Sequence, residues 1–306
     1  LPPVPARNRR IGEFFKELRL AEMRGTGIPK IKRAMEENGS DEPTFDFDQQ
    51  RTYFRVILPA HPKYKILHTL RESSYLWSIG EKKSALLRLQ SVFSQQPGYG
   101  AVAGQLIEYY SDLGDIISAE KTFYKFYEAP KKYEVEQPYL KFFKALYSHN
   151  EHIKAREIIE LLPEKEYFNS PYEVALAFKR IKILDKAHMI LMRIYDSYEN
   201  DPGFLHNLAQ VKIGIASEIY YRNKNLATVL RLRKEAVSLL RKVIYLSDDN
   251  VQKGWAYFDL ARTLKWMKVP KSEVQEAFES ATNLLPNERK FAEAYQKWKE
   301  YNVRKK

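Results

Sequence analysis

Residues 78–90 read SIGEKKSALLRLQ, and residues 112–124 read DLGDIISAEKTFY. Shifted by 34 residues, the two stretches place Gly80 on Gly114, Ala85 on Ala119 and Leu89 on Phe123. The glycine suits a tight turn, the alanine lets two helices approach, and the large residue four positions later plugs the gap beside it. A period of 34 with these features predicts a helix–turn–helix unit that stacks on copies of itself. The phase continues with drifting spacing through Ala155, Ile159 and Leu162, then Ala187, Leu191 and Ile194, then Ala236, Leu240 and Val243. The last unit, EAFESATNLLPNE at 276–288, carries Phe278, Ala281 and Pro286, with Val274 in place of the usual small residue. From about residue 64 no strand pattern appears. Residues 64–306 are therefore expected to form a mostly α solenoid. Residues 203–247 are longer than one unit, with EIYYRNKN (218–225) predicted as the turn between two long helices. Residues 289–303 are predicted to be the polar-faced capping helix such a stack needs.

Residues 1–60 differ in texture. Ile11, Phe14, Phe15, Leu18 and Leu20 lie on or near one helical face, and Ile28, Ile31 and Met35 repeat the pattern. The period then changes to alternation in TFDFD (44–48), followed by RTYFRVILP (51–59). A β-hairpin over 44–48 and 52–58 is predicted. Pro59, His61 and Pro62 mark a boundary at 59–63. The expected architecture is a small α/β segment of two helices and a hairpin over 1–60, preceding the solenoid.

The chain has 306 residues, no cysteine and a formal net charge of +12. Disulfides and thiolate metal sites are excluded, and a reducing, cytoplasmic setting is expected. No apolar run approaches 18 residues, so no membrane span and no membrane partner are expected. The opening LPPVPARNRR lacks the apolar core of a signal peptide and an initiator methionine, which suggests the C-terminal part of a longer protein. Residues 1–60 hold 11 basic and 9 acidic residues, so most of the excess charge falls on the long second segment. Such a balance favours polyanionic partners or simply a solvated surface.

No catalytic constellation is readable. The paired carboxylates Glu36-Glu37 and Asp248-Asp249 fall at helix ends or turns, where solvation explains them. His149 and His152, three apart beside Glu151, have a spacing that can hold a metal on a helix, but they sit where a polar repeat turn is expected, and a metal would need a third ligand such as Glu157 placed by the fold. Tyrosines mixed with Lys/Arg recur at Tyr109-Tyr110, from Phe123 to Tyr147, and at Tyr220-Tyr221. Most must fill the inter-helix core, and any on the concave face could stack on bases or clasp a peptide. Lys141 and Lys144 on first helices, and Arg222 and Lys224 at the long turn, are the candidate contacts to a partner or nucleic acid. The basic helix from Lys224 to Leu246, with Arg231, Arg233, Lys234, Arg241 and Lys242, reads either as an anion-binding stripe or as a solvated outer face.

The 34-residue unit resembles the tetratricopeptide repeat, although the family's first-helix signature is thin, with Leu106 and Tyr110 fitting in the second unit. The first sixty residues resemble the end of the ATP-binding domain of prokaryotic Schlafen/AlbA-type, RecG-like DNA-binding regulators. The matching pieces are Leu1-Pro2-Pro3, Arg7-Asn8, Glu22 with Gly25-Thr26-Gly27-Ile28, Ala34-Met35, Gly39, and Pro43 with Phe45. That resemblance implies an AlbA-type nucleic-acid-binding domain, a GHKL-like ATP-binding domain and a variable tail. It makes Gly25, Thr26, Gly27, Ile28 and Lys30 the last glycine box of a site for ATP and magnesium. Glycines let backbone approach a phosphate, and helix-start N–H groups point at it. By its own chemistry the same loop is a helix start with Pro29 in the first turn. The family also needs an asparagine that positions magnesium and an Asp-x-Gly element upstream of this box, and neither is present there.

The expected function is therefore the interaction or scaffold arm of a nucleic-acid-associated, ATP-binding regulator of transcriptional or defence type. It would take a protein or peptide along the repeat groove or assemble copies of itself. Two alternatives stand: part of an ATPase whose other site elements lie upstream, and direct DNA or RNA binding by the basic solenoid.

Overall fold

The computed structural model describes residues 8–19, 27–50, 52–131, 133–223, 225–267 and 269–303. Leu20, Glu22, Gly25, Thr26 and Lys224 lie outside them. Helix α1 (Arg9–Glu17) starts at Asn8, whose side chain accepts the Ile11 N–H at 3.2 Å. Helix α2 (Gly27–Glu37) leads to an antiparallel hairpin, β1 (Thr44–Phe47) and β2 (Phe54–Ile57), with Thr44 opposite Ile57 and Phe47 opposite Phe54. The strands are shorter than the sequence pattern predicts. Asp48 accepts the backbone N–H of Thr52 at 2.6 Å, so a side chain rather than a ladder holds the hairpin loop.

Six helical hairpins follow: α3 (Pro62–Ser78) with α4 (Lys82–Gln95), α5 (Gly100–Asp112) with α6 (Ile116–Glu128), α7 (Glu136–Ser148) with α8 (His152–Glu160), α9 (Pro171–Arg180) with α10 (Leu184–Arg193), α11 (Pro202–Asn223) with α12 (Leu226–Leu246), and α13 (Asn250–Trp266) with α14 (Lys271–Leu284). Helix α15 (Arg289–Val303) closes the stack. The periodic small and large residues are its spine. Ala85, Leu89, Ala119, Phe123, Ala155, Ile159, Ala187, Leu191, Ala236 and Leu240 all have 0% exposure. One continuous apolar cluster runs from Ile66 to Trp298. Val274, in place of a small residue, is also buried.

The turns inside the first four hairpins share one solution. Gly80 (φ 88°), Gly114 (φ 76°), Asn150 (φ 61°) and Lys182 (φ 64°) are all left-handed. The next N–H reaches back to the helix in each: Glu81 to Leu76 O, Asp115 to Tyr110 O, Glu151 to Leu146 O and Ile183 to Phe178 O, at 2.8–3.0 Å. This is the Schellman termination, which satisfies orphan carbonyls and reverses the chain. The glycine period thus persists as geometry after the glycine itself is lost.

One boundary moves. EIYYRNKN is not a turn over its whole length, because α11 continues through Asn223 and α12 begins at Leu226. Ile219 and Tyr220 pack on the core, and that contact extends the helix. Asn225 starts α12 by accepting the Thr228 N–H at 3.2 Å. On α15, Phe291, Tyr295 and Trp298 are buried. Phe291 stacks on Phe258 at 4.4 Å and Tyr295 on Phe278 at 5.5 Å.

The first helices of successive hairpins touch one another, α3 with α5, α5 with α7, α7 with α9, and α11 with α13. They form the crowded inner row, and the second helices lie outside. Contact is tightest at α5 and α7. A Cβ on Gly100 would lie 1.8 Å from the Glu134 carbonyl oxygen, and one on Gly104 would lie 3.1 Å from Gln137 Cβ. Among the described residues no helix is long and apolar enough to cross a membrane.

Candidate functional site

The inner row carries polar groups in a sequence-dependent pattern. On α7, Lys141 Nζ meets Glu108 of α5 at 2.6 Å, and Lys144 Nζ meets Glu173 of α9 at 3.5 Å. Each of these candidate contact lysines is thus matched to a carboxylate one helix along, and the pairs act as rungs between repeats. Lys141 is the more enclosed of the two. Arg222 is exposed at the end of α11.

The next inner helices are built differently. Lys179, near the end of α9, donates to Asn207 Oδ1 at 2.5 Å and to Gln210 Oε1. Both acceptors lie on α11, three residues apart and so on one face. Both amides are locked from behind. Asn207 donates to the Tyr172 hydroxyl at 2.8 Å and to the Gly203 carbonyl at 2.9 Å. Gln210 donates to Asp259 Oδ2 of α13 at 2.8 Å. His206 Nε2–H donates to the same carboxylate oxygen at 3.0 Å, and Arg262 lies 3.8 Å from the other. One hydrogen-bonded chain therefore links α9, α11 and α13 across the inner face.

The electrostatics are unbalanced. Burial pulls the Lys179 ammonium down to about 8, with the Asp259 charge opposing that pull and Lys182 and Arg180 adding to it. Burial also pushes Asp259 upward, but hydrogen bonds from His206 and Gln210 and the charges of His206 and Arg262 outweigh it, so Asp259 titrates below its ordinary range. Lys179 makes no ion pair within 4 Å among the described residues; its hydrogen-bond acceptors are neutral amides. A cleft of about 510 Å³ opens here, lined by Tyr147, Lys179, Arg180, Lys182, Gln210, Asp259 and Arg262, with Leu184, Ile213, Gly214 and Ser217. Arg180 lies over the Tyr147 ring at 5.7 Å. Lys182 occupies the left-handed turn position where the first two repeats use glycine.

The glycine box is only partly in view. Gly27 and Ile28 form the first turn of α2 with Lys30 close behind, and space is open around Gly27. The described part supplies a helix start. His149 bonds the Ala145 carbonyl at 2.9 Å, and the His152 ring packs on Tyr147 at 4.5 Å. Among the described residues no three His, Cys, Asp or Glu side chains gather as metal ligands. Most of the tyrosine-rich clusters serve the core. Tyr109 stacks on Trp77 at 3.8 Å, and Tyr139 meets Phe123 edge-on at 5.2 Å. Tyr221 alone of its pair is largely exposed.

Fold and inner-face network together define the class, a tetratricopeptide-like α-solenoid with a polar cleft, preceded by a small α/β unit. The family model described as "Putative ATP-dependent DNA helicase recG C-terminal" matches residues 3–58. No curated protein matches the chain. Similar solved structures include YrrB, titled a TPR protein with an unusual peptide-binding site, at 14% identity over 68% of this chain and 97% of that one, TM-score 0.49. PilF of Pseudomonas aeruginosa is similar at 11% identity over 78% of this chain and 98% of that one, TM-score 0.49. A monomeric mutant of IFIT1 with m7Gppp-AAAA is similar at 12% identity over 97% of this chain and 64% of that one, TM-score 0.47.

Proposed function

We propose that this chain is the interaction arm of a nucleic-acid-associated, ATP-binding regulator, and that its solenoid holds a protein segment along the inner row of first helices. One observation carries the reading. The inner face of α9, α11 and α13 is occupied by an ordered polar network opening on a cleft, where packing alone needs only apolar residues. The regulator context rests on the match over residues 3–58 and on the Gly-Thr-Gly-Ile element within it. Affinity capture with the intact chain, comparing wild type with a double variant Lys179→Met, Asp259→Asn, tests the groove. A specific protein partner lost in the variant supports it, and a partner retained unchanged overturns it. Calorimetry with ATP and magnesium, on this chain and on the chain extended upstream, tests the nucleotide role. Heat from the extended chain alone supports a site completed by upstream residues, and no heat from either reduces the glycine box to a helix start.

A second reading is direct nucleic-acid binding, favoured by the basic excess on residues 61–306. It requires an affinity that falls steeply with salt, because neutralised phosphates release counterions.

A further inference from the structure

We infer that the Lys179 cleft is a subsite for a doubly charged oxyanion on the bound protein segment, either a phosphorylated side chain or two adjacent carboxylates. The inference rests on the groove reading above and names the chemistry the groove selects.

The argument begins with charge. Lys179, Arg180, Lys182 and Arg262 line the cleft, and Asp259 is the only carboxylate among its lining residues. Asp259 is already committed to His206, Gln210 and Arg262, and its side chain is only 13% exposed. The carboxyl end of α9 contributes about half a negative charge near Lys179 and Arg180, which offsets a small part of the excess. Roughly two to three positive charges remain uncompensated. The neighbouring repeats show that this is a local choice. On α7, Lys141 and Lys144 each have a carboxylate across the row. Lys212, almost fully buried between α11 and α12, has Glu235 at 2.7 Å. Lys179 has only amide oxygens, and burial depresses its titration, with Lys182 and Arg180 adding to that pull.

The second strand of the argument is preorganisation. Asn207 and Gln210 cannot rotate away, because their amide nitrogens are engaged by Tyr172, Gly203 and Asp259. They hold the ammonium at a fixed place beside the cleft and leave its charge unneutralised. Above it, Arg180 and Arg262 are exposed and lie over the rings of Tyr147 and Phe258. A planar guanidinium on an aromatic face still presents its N–H edge, which suits two-pronged contact with phosphate or carboxylate oxygens. Lys182 holds a left-handed backbone at the turn and adds a further positive charge to the cleft lining. A cleft with a net positive excess concentrates its field on a matching ligand.

The test uses the intact chain immobilised against three degenerate 12-residue peptide libraries. Their fixed centres are phosphoserine, Glu-Glu or Ser-Ser, and all have blocked termini. The expected result is at least tenfold greater retention of the phosphoserine or Glu-Glu library than of the Ser-Ser library. The ratio between the first two tells the two sources of charge apart. Lys179→Met and, independently, Arg262→Gln should abolish the preference, while Lys154→Gln on the outer helix α8 leaves it intact. Circular dichroism checks that each variant is folded. Equal retention of all three libraries, unmoved by Lys179→Met, overturns the anion subsite and leaves the groove reading standing. No retention of any library overturns both. Displacement of bound peptide by a twelve-nucleotide oligothymidine through the same residues overturns the inference in favour of a nucleic-acid groove.

Discussion

The two parts of this chain use apolar residues in opposite ways. In residues 8–58, Phe14, Phe15, Leu18, Phe47, Phe54, Ile57 and Leu58 are all exposed, and neither α1 nor α2 buries a single residue. In residues 62–303 the apolar positions of each hairpin close on the next one. The difference is not composition but the number of surfaces available. An amphipathic helix stabilises a fold only when something covers its stripe, and two short helices with a two-stranded hairpin have too few faces to cover one another. A solenoid escapes this limit by repetition, since each unit is covered by its neighbours and only the ends need a cap.

The largest expected break in the comparison comes from one substitution on each side. Phe123→Ala removes a fully buried ring from among Tyr139, Phe142 and Tyr127 and should cost about 4 kcal/mol in urea unfolding. Phe14→Ala, exposed on α1, should change the same measurement by less than about 0.5 kcal/mol. Comparable costs would show that α1 is covered in solution. Gly100→Ala drives a methyl group into the Glu134 carbonyl and should cost about 3 kcal/mol by forcing α5 and α7 apart.

A smaller effect has the opposite sign. Lys179 titrates at about 8 in the folded chain against an ordinary 10.5. Between those values the unfolded chain holds a proton that the folded chain has released. Wild-type stability should therefore rise with pH through that window, and below it the penalty is fully present. Lys179→Met should remove this slope, and any gain at pH 7 falls well short of the ceiling of about 3 kcal/mol set by the shift, because Asn207 Oδ1 and Gln210 Oε1 lose their donor. A thermal melt series from pH 7 to 10.5 reads both. The smallest effect is Lys182→Gly, which relieves a left-handed non-glycine residue and should gain about 0.5–1 kcal/mol in the same melts.

The solenoid was legible because its rule is local. Ala85 with Leu89, and Ala119 with Phe123, need only a spacing of four inside a helix and a repeat of 34 between helices. The repeat survived even where its marker changed, as at Asn150 and Lys182, because the turn geometry tolerates those residues at modest strain. Gly100 was visible as a glycine, but its partner Glu134 is 34 residues away and is met through backbone. The cleft was the least legible. Lys179, Gln210 and Asp259 come from three helices, and each alone resembles a solvated polar residue. The trace that could have found them is LHNLAQV at 205–211, where His206, Asn207 and Gln210 interrupt an apolar helix on one face. Lys141 and Lys144, the candidate contacts on first helices, are held by Glu108 and Glu173 at distances a sequence does not encode.

The unequal helix lengths have a mechanical consequence. Helices α9 and α10 have 10 residues each, whereas α11 and α12 have 22 and 21. At 1.5 Å per residue, rods of about 15 Å meet rods of about 33 Å. The step in length falls at the α9–α11 joint, so the far half of the long pair extends past the short one. The Lys179 network crosses that joint. A ligand seated there would act as a brace, and the elasticity of the whole array would then report whether the cleft is filled.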